Sequence, residues 1–208
     1  MRRSQGRHAA PFHVTAHVRP PMVTSHVDPH QRSQDARRRV LEMALSLRDG
    51  PPGGSVDHFL ALLQYRLPFW LSVLHDLSNH AGRDTVRGNL VPVARAGVEY
   101  HLEVQSAALP AFSSPDVTVR VREAIRAAGL GPDAEVTPLA AYLEEERRLG
   151  RVAARVDPEA SARLLLAGCF HRAYLELFVG ADAVPSRDVS AEEIVRELRL
   201  DLPPERPA

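Results

Sequence analysis

Lysine is absent from the sequence, so every one of its 26 basic side chains is an arginine, and 26 acids leave the formal charge at zero. A neutral molecule is not drawn to nucleic acid by bulk electrostatics. Cysteine occurs once, as Cys169, which excludes a disulfide framework and a cysteine-rich zinc site. No apolar run approaches the ~18 residues of a membrane span, and no hydrophobic signal segment opens the sequence. A soluble, cytoplasmic protein with no membrane association is therefore expected. Glycine-rich dinucleotide and phosphate loops are missing, as is a Gly-x-Ser-x-Gly elbow. Neither a βαβ alternation nor a repeat of 20–50 residues is visible. These absences predict a chain that is not an enzyme and carries no cofactor.

What is present is unevenly distributed. Residues 1–34 hold five Arg against one Asp, five of the ten His and four Pro, but no Leu or Ile. The segment is net +4 and the remainder net −4. Scattered apolar residues cannot offset the entropy of ordering a chain, so 1–34 reads as a disordered basic arm. From Asp35 the pattern becomes helical, and seven helices are expected in an all-α bundle over 35–200, followed by a loose tail over 201–208. The first covers 35–48. The second covers 56–79, capped by Ser55 and interrupted by Pro68. The third and fourth span about 84–108 and 116–128. Thr137-Pro138 starts the fifth, which Gly150 ends, and Asp157-Pro158 starts the sixth, which runs to Gly180. Ser190-x-x-Glu193 reads as a capping box for the last, through Arg199.

Few residues carry chemistry. His8, His13 and His17 lie in the arm without a scaffold. His75 and His80 are five apart, one too many to share a helix face, and Asp76 with His80 reads as a surface pair. No metal site is expected. Cys169 and His171 point in different directions on one helix, so no catalytic residue is assigned and a buried structural thiol is expected. Glu144-Glu145-Glu146-Arg147-Arg148 reads as a solvated face. Aromatic and polar residues on the two proline-interrupted helices suggest walls and tips of a small-molecule pocket: Tyr65, Phe69, Trp70, Val73, Tyr100, His101 and Phe112. Small residues along 158–179 (Ala160, Ala162, Ala167, Gly168, Ala173) suit close approach of a partner helix, and a homodimer is expected.

The stretch Pro138-Leu-Ala-Ala-Tyr-Leu-Glu-Glu-Glu-Arg-Arg-Leu-Gly-Arg-Val, followed by Val156-Asp-Pro-Glu-Ala-Ser-Ala-Arg-Leu-Leu-Leu-Ala-Gly, resembles the C-terminal domain of TetR/AcrR-family transcriptional regulators. Leu47–Ser55 and Tyr65–Phe69 are similar to the first long helices of that domain, so the resemblance covers about 35–200. It implies a bundle that binds a small, largely apolar effector between its earlier helices. It also implies a dimer through the last two long helices, with Leu139, Tyr142, Leu143, Leu164, Gly168, His171 and Leu175 at the contact. The family reads DNA with an N-terminal helix-turn-helix, and nothing in residues 1–34 matches one. DNA binding is expected only if such a head exists outside this sequence. The alternative reading is an interaction module that heterodimerises with a full-length relative.

Overall fold

The structure is a computed structural model that describes residues 54–112, 115–131 and 133–201, together with Arg38, which is helical. Among the described residues there are six α-helices and no strand. They are α1 (Ser55–Asp76), α2 (Val86–Ala111), α3 (Pro115–Ala127), α4 (Asp133–Arg148), α5 (Pro158–Val179) and α6 (Arg187–Glu197). Short 3₁₀ turns follow α1 (Leu77–His80) and α5 (Ala181–Ala183). The all-α fold is as the apolar periodicity predicts. The arm over 1–34, the helix over 35–48 outside Arg38, and the tail beyond Asp201 lie outside the described residues.

Local chemistry explains most boundaries. Asp157 caps α5 by accepting hydrogen bonds from the N–H groups of Glu159 (2.9 Å) and Ala160 (3.1 Å), with Pro158 at the first helical position. That is the arrangement an Asp-Pro start predicts. Gly150 and Gly180, the expected stops, have φ of +73° and +90°, a region that side chains other than glycine rarely enter. Three expectations need correction. The cap of α1 is Gly54, and Ser55 is already helical. Helix α4 begins at Asp133 rather than at Thr137-Pro138, because the acids Asp133 and Glu135 suit a first turn and Val136 reaches the core. Helix α6 begins at Arg187 behind the cap Ser186. Ser190 is instead buried inside it, where its hydroxyl accepts from Arg172 Nε at 2.9 Å.

Helix α2 is the central element, packed against α1, α5 and α6, while α4 packs on α5 and α1. Trp70, Leu74, Leu90, Val98, Leu139, Leu143 and Leu165 are the fully buried centre of this core. Removing each such side chain from water contributes roughly 1.5–3 kcal/mol. Gly97 lets α2 approach closely: a Cβ there would lie 3.1 Å from both Cys169 Sγ and the Trp70 ring. Arg172, buried on α5, ties the end of the chain down. It donates to Glu176 Oε2 (2.8 Å) and to the Pro185 carbonyl (2.6 Å), and Arg187 pairs with the other oxygen of Glu176 at 2.6 Å.

Candidate functional site

Three of the seven residues assigned to a pocket meet. Trp70 and Tyr100 stack with centroids 5.5 Å apart, and His101 stands edge-on to Trp70 at 6.4 Å and to Phe170 at 5.7 Å. The rings pack between α1, α2 and α5, and Phe69, Trp70 and Tyr100 together line a cleft of only ≈ 20 Å³. Phe112 packs against Phe59 at 5.1 Å. Tyr65 and Phe69 are 71% and 60% exposed, because they lie on the side of α1 opposite Leu63, Leu67, Trp70 and Leu74. Val73 lines a separate groove. Among the described residues the seven therefore do not line one common pocket.

The residue that completes the ring cluster is Glu135, from the first turn of α4. Its Oε2 lies 4.0 Å from His101 Nε2. The buried Nε atoms of His101 and Trp70 have no hydrogen-bond partner within the described residues. The Trp70 indole N–H still lies close enough to the carboxylate to favour its charged form. Burial outweighs that help and raises the Glu135 carboxyl from 4.5 to about 7, while burial lowers the His101 imidazole to about 4. The pair is thus no ion pair at neutral pH: a neutral imidazole faces a carboxyl that burial drives toward its protonated form. Tyr100 is held well above its ordinary range by burial and by the Glu135 charge.

The same two causes, burial first, push the Cys169 thiol up to about 12. Its Sγ is fully buried and donates weakly to the Ala94 carbonyl at 3.3 Å. A nucleophilic role needs an accessible thiolate, and neither condition holds. In the folded protein Cys169 is expected to resist an aromatic disulfide reagent for hours, and to react at once in denaturant. Rapid labelling of the native chain would show that α2 and α5 separate readily.

A groove of ≈ 450 Å³ opens between the end of α1, the 3₁₀ turn and the first half of α2. Its apolar side is formed by Val73, Leu77, Pro92, Val93 and Ala96, and its polar side by Asp76, His80, Asp84 and Asn89. Sequence reasoning placed Asp76 and His80 on a helix surface. The change from α-helix to 3₁₀ turn at Leu77 instead sets both at the edge of this groove. The volume lies within the range of about 300–1,000 Å³ typical of small-molecule sites.

The residues assigned to a dimer contact divide. Leu139, Tyr142 and Leu143 are at most 1% exposed and belong to the chain's own core, so they present nothing to a partner. Gly168 faces Ile194 of α6, whose side chain would lie 3.0 Å from an added Cβ, so its small size serves packing within the chain. Leu175 is half-buried. Leu164 and His171 are exposed, in line with Ala160, Ala167, Tyr174 and Phe178. These six residues recur at alternating intervals of four and three and form a single stripe along the outside of α5. Sequence reasoning does not single out Tyr174 and Phe178, whose rings lie against each other on the surface, centroids 4.4 Å apart and tilted by 33°.

Among the described residues no three His, Cys, Asp or Glu side chains converge as a metal site, and no helix is long and apolar enough to cross a membrane. The chain matches no protein-family model, no curated protein and no solved structure.

Proposed function

We propose that the chain is a homodimerising regulatory domain of the TetR kind, which senses a small, largely apolar effector and has no catalytic role. The observation that carries this reading is the stripe on α5. Leu164 and Phe178 are 63% and 60% exposed, an arrangement that leaves large apolar side chains in water in the absence of a partner. The stripe is also complementary to itself. Laid antiparallel on its own copy about position 169, α5 sets Ala160 against Phe178, Leu164 against Tyr174 and Ala167 against His171. Small side chains meet large ones at two of these three levels, as interdigitating helices require. Because a two-fold axis presents one surface to itself, a self-complementary stripe fits an isologous dimer better than an unrelated partner.

In such a dimer, effector binding that favours one arrangement of the two bundles would shift their relative placement. Sedimentation tests the dimer directly. Leu164→Glu would place two carboxylates in the apolar seam, and the affinity is expected to fall at least about tenfold, the effect of ~1.4 kcal/mol. Residue 164 is exposed, so circular dichroism should show unchanged helix content. A wild-type chain that sediments as a monomer at tens of micromolar, or a variant that dimerises as well as wild type, would end this reading. A monomer that pairs only with a longer relative would support the heterodimer alternative.

A further inference from the structure

We propose that the groove between α1, the 3₁₀ turn and α2 takes a compact organic cation with an apolar body. The inference rests on the effector-sensing reading for its biological sense, but it locates the effector and gives it a charge. The body would lie on Val73, Leu77, Pro92 and Val93. The charge would lie at the edge, where Asp76 and Asp84 both line the groove and, among the described residues, no arginine does. All basic groups of this chain apart from histidine are guanidinium, and most acids near the core already have one: Glu103 is paired with Arg66, Glu146 with Arg151, and Glu176 with Arg172 and Arg187. The Asp76 and Asp84 side chains have no ion-pair or hydrogen-bond partner among the described residues.

Arg151, the guanidinium bonded to the backbone of Asp84, is committed elsewhere. It pairs with Glu146 at 2.7 Å and donates to the backbone carbonyls of Arg83 (2.9 Å) and Asp84 (2.6 Å). These bonds fix the loop that carries Asp84, whose φ of +46° is one that aspartate tolerates better than most residues. Asn89 is likewise occupied, since its amide donates to the carbonyls of His80 and Arg83 and to the Tyr142 hydroxyl. The groove thus offers two unpaired negative charges on a fixed frame beside an apolar wall. A ligand with an ammonium or amidinium head and a hydrocarbon body matches it; a carboxylate or phosphate would be repelled. A divalent metal is disfavoured, since among the described residues no three ligating side chains converge there.

Calorimetry with three matched probes tests the inference on the full chain: 4-phenylbutylammonium, its neutral twin 4-phenylbutanol, and the anion 4-phenylbutanoate. The ammonium is expected to bind, the alcohol about tenfold more weakly, and the anion not at all. Asp76→Asn and Asp84→Asn should each weaken the ammonium about tenfold, as loss of a charged hydrogen bond does. Both positions are exposed and should tolerate the exchange, and Asp182→Asn, on the distant exposed 3₁₀ turn after α5, should change nothing. Raising salt from low to about half molar should weaken the ammonium alone. Equal binding of the three probes, no binding at millimolar concentration, or indifference to both Asp variants would each overturn the assignment. The outcome is separable from that of the dimer, because a chain that sediments as a monomer yet binds the ammonium through Asp76 and Asp84 would refute the dimer and leave the groove standing.

Discussion

Glu135→Gln is expected to stabilise the protein at pH 8 and to leave it nearly unchanged at pH 5. The sign follows from linkage. The Glu135 carboxyl titrates at about 7 in the folded chain against 4.5 for an unperturbed one. Between those values the folded state binds more protons than the unfolded state, so the stability from this group is full below pH 4.5 and is lost as pH rises through 7. Above pH 7 the ionised carboxylate occupies a site that disfavours it, at a cost of about 3 kcal/mol from the size of the shift. Glutamine is neutral throughout and keeps a carbonyl near the Trp70 indole. At pH 8 the variant should therefore gain up to about 3 kcal/mol, or roughly 6–12 °C in Tm for a domain of this size. His101 supplies an internal check. Its pKa is lowered to about 4, so its contribution rises with pH from 4 to 6.5, opposing Glu135 over that window. Wild type should be flat between pH 4.5 and 6.5, and the variant should rise there. Urea unfolding at one fixed protein concentration measures both, since a dimer of the proposed kind would make stability depend on concentration. Parallel pH profiles would mean that the carboxylate is solvated in the folded state.

Glu135 illustrates which parts of the molecule were legible. Helix order followed from apolar spacing, because the six described helices bury faces that recur every three to four residues. The Asp157-Pro158 start and the Gly150 and Gly180 stops followed from local chemistry alone. Chain direction could not separate core aromatics from pocket aromatics: Trp70 and Phe69 are neighbours, yet one is buried and the other projects outward. Which of them faces inward depends on the rotation of α1 against α2, a tertiary quantity.

The buried acids were hidden by a different bias. Glu146 sits in a run of charge, Glu144 to Arg148, that reads as a solvated face, and two of its members do behave so: Glu144 pairs with Arg147 and Glu145 with Arg148 near the surface. The signal that set Glu146 apart was its spacing. Residues 135, 139, 142 and 146 recur at intervals of four and three, so both glutamates lie on the stripe that carries Leu139 and Tyr142 into the core. An acid on an apolar stripe needs a partner or a proton. Glu146 has the former, and Glu135, which faces no guanidinium among the described residues, is pushed toward the latter.

That difference predicts opposite outcomes for the two glutamates, and Glu146→Ala is expected to be strongly destabilising. Glu146 is 0% exposed. Its Oε1 accepts the Gly82 N–H at 3.1 Å and its Oε2 faces Arg151 Nε at 2.7 Å. Removing the carboxylate strands a guanidinium and a backbone N–H and leaves a void beside Tyr142. Breaking one side of a buried pair costs about 3–5 kcal/mol. The Arg151 side chain is 27% exposed and can turn toward solvent, which favours the lower end, about 3 kcal/mol. Glu146→Gln keeps an acceptor for Gly82 and should lose about half as much. Glu146→Ala combined with Arg151→Ala should lose less than the two single changes added together, because the stranded charge is then gone. The consequence reaches the groove, since Arg151 also holds the carbonyls of Arg83 and Asp84. At a temperature where Glu146→Ala is still folded, 4-phenylbutylammonium should bind it less tightly than wild type, though the variant retains both Asp76 and Asp84. A loss of stability below about 1 kcal/mol would show that water already reaches Glu146; unaltered ammonium binding in a destabilised variant would show that the Asp84 loop is held by Asn89 alone.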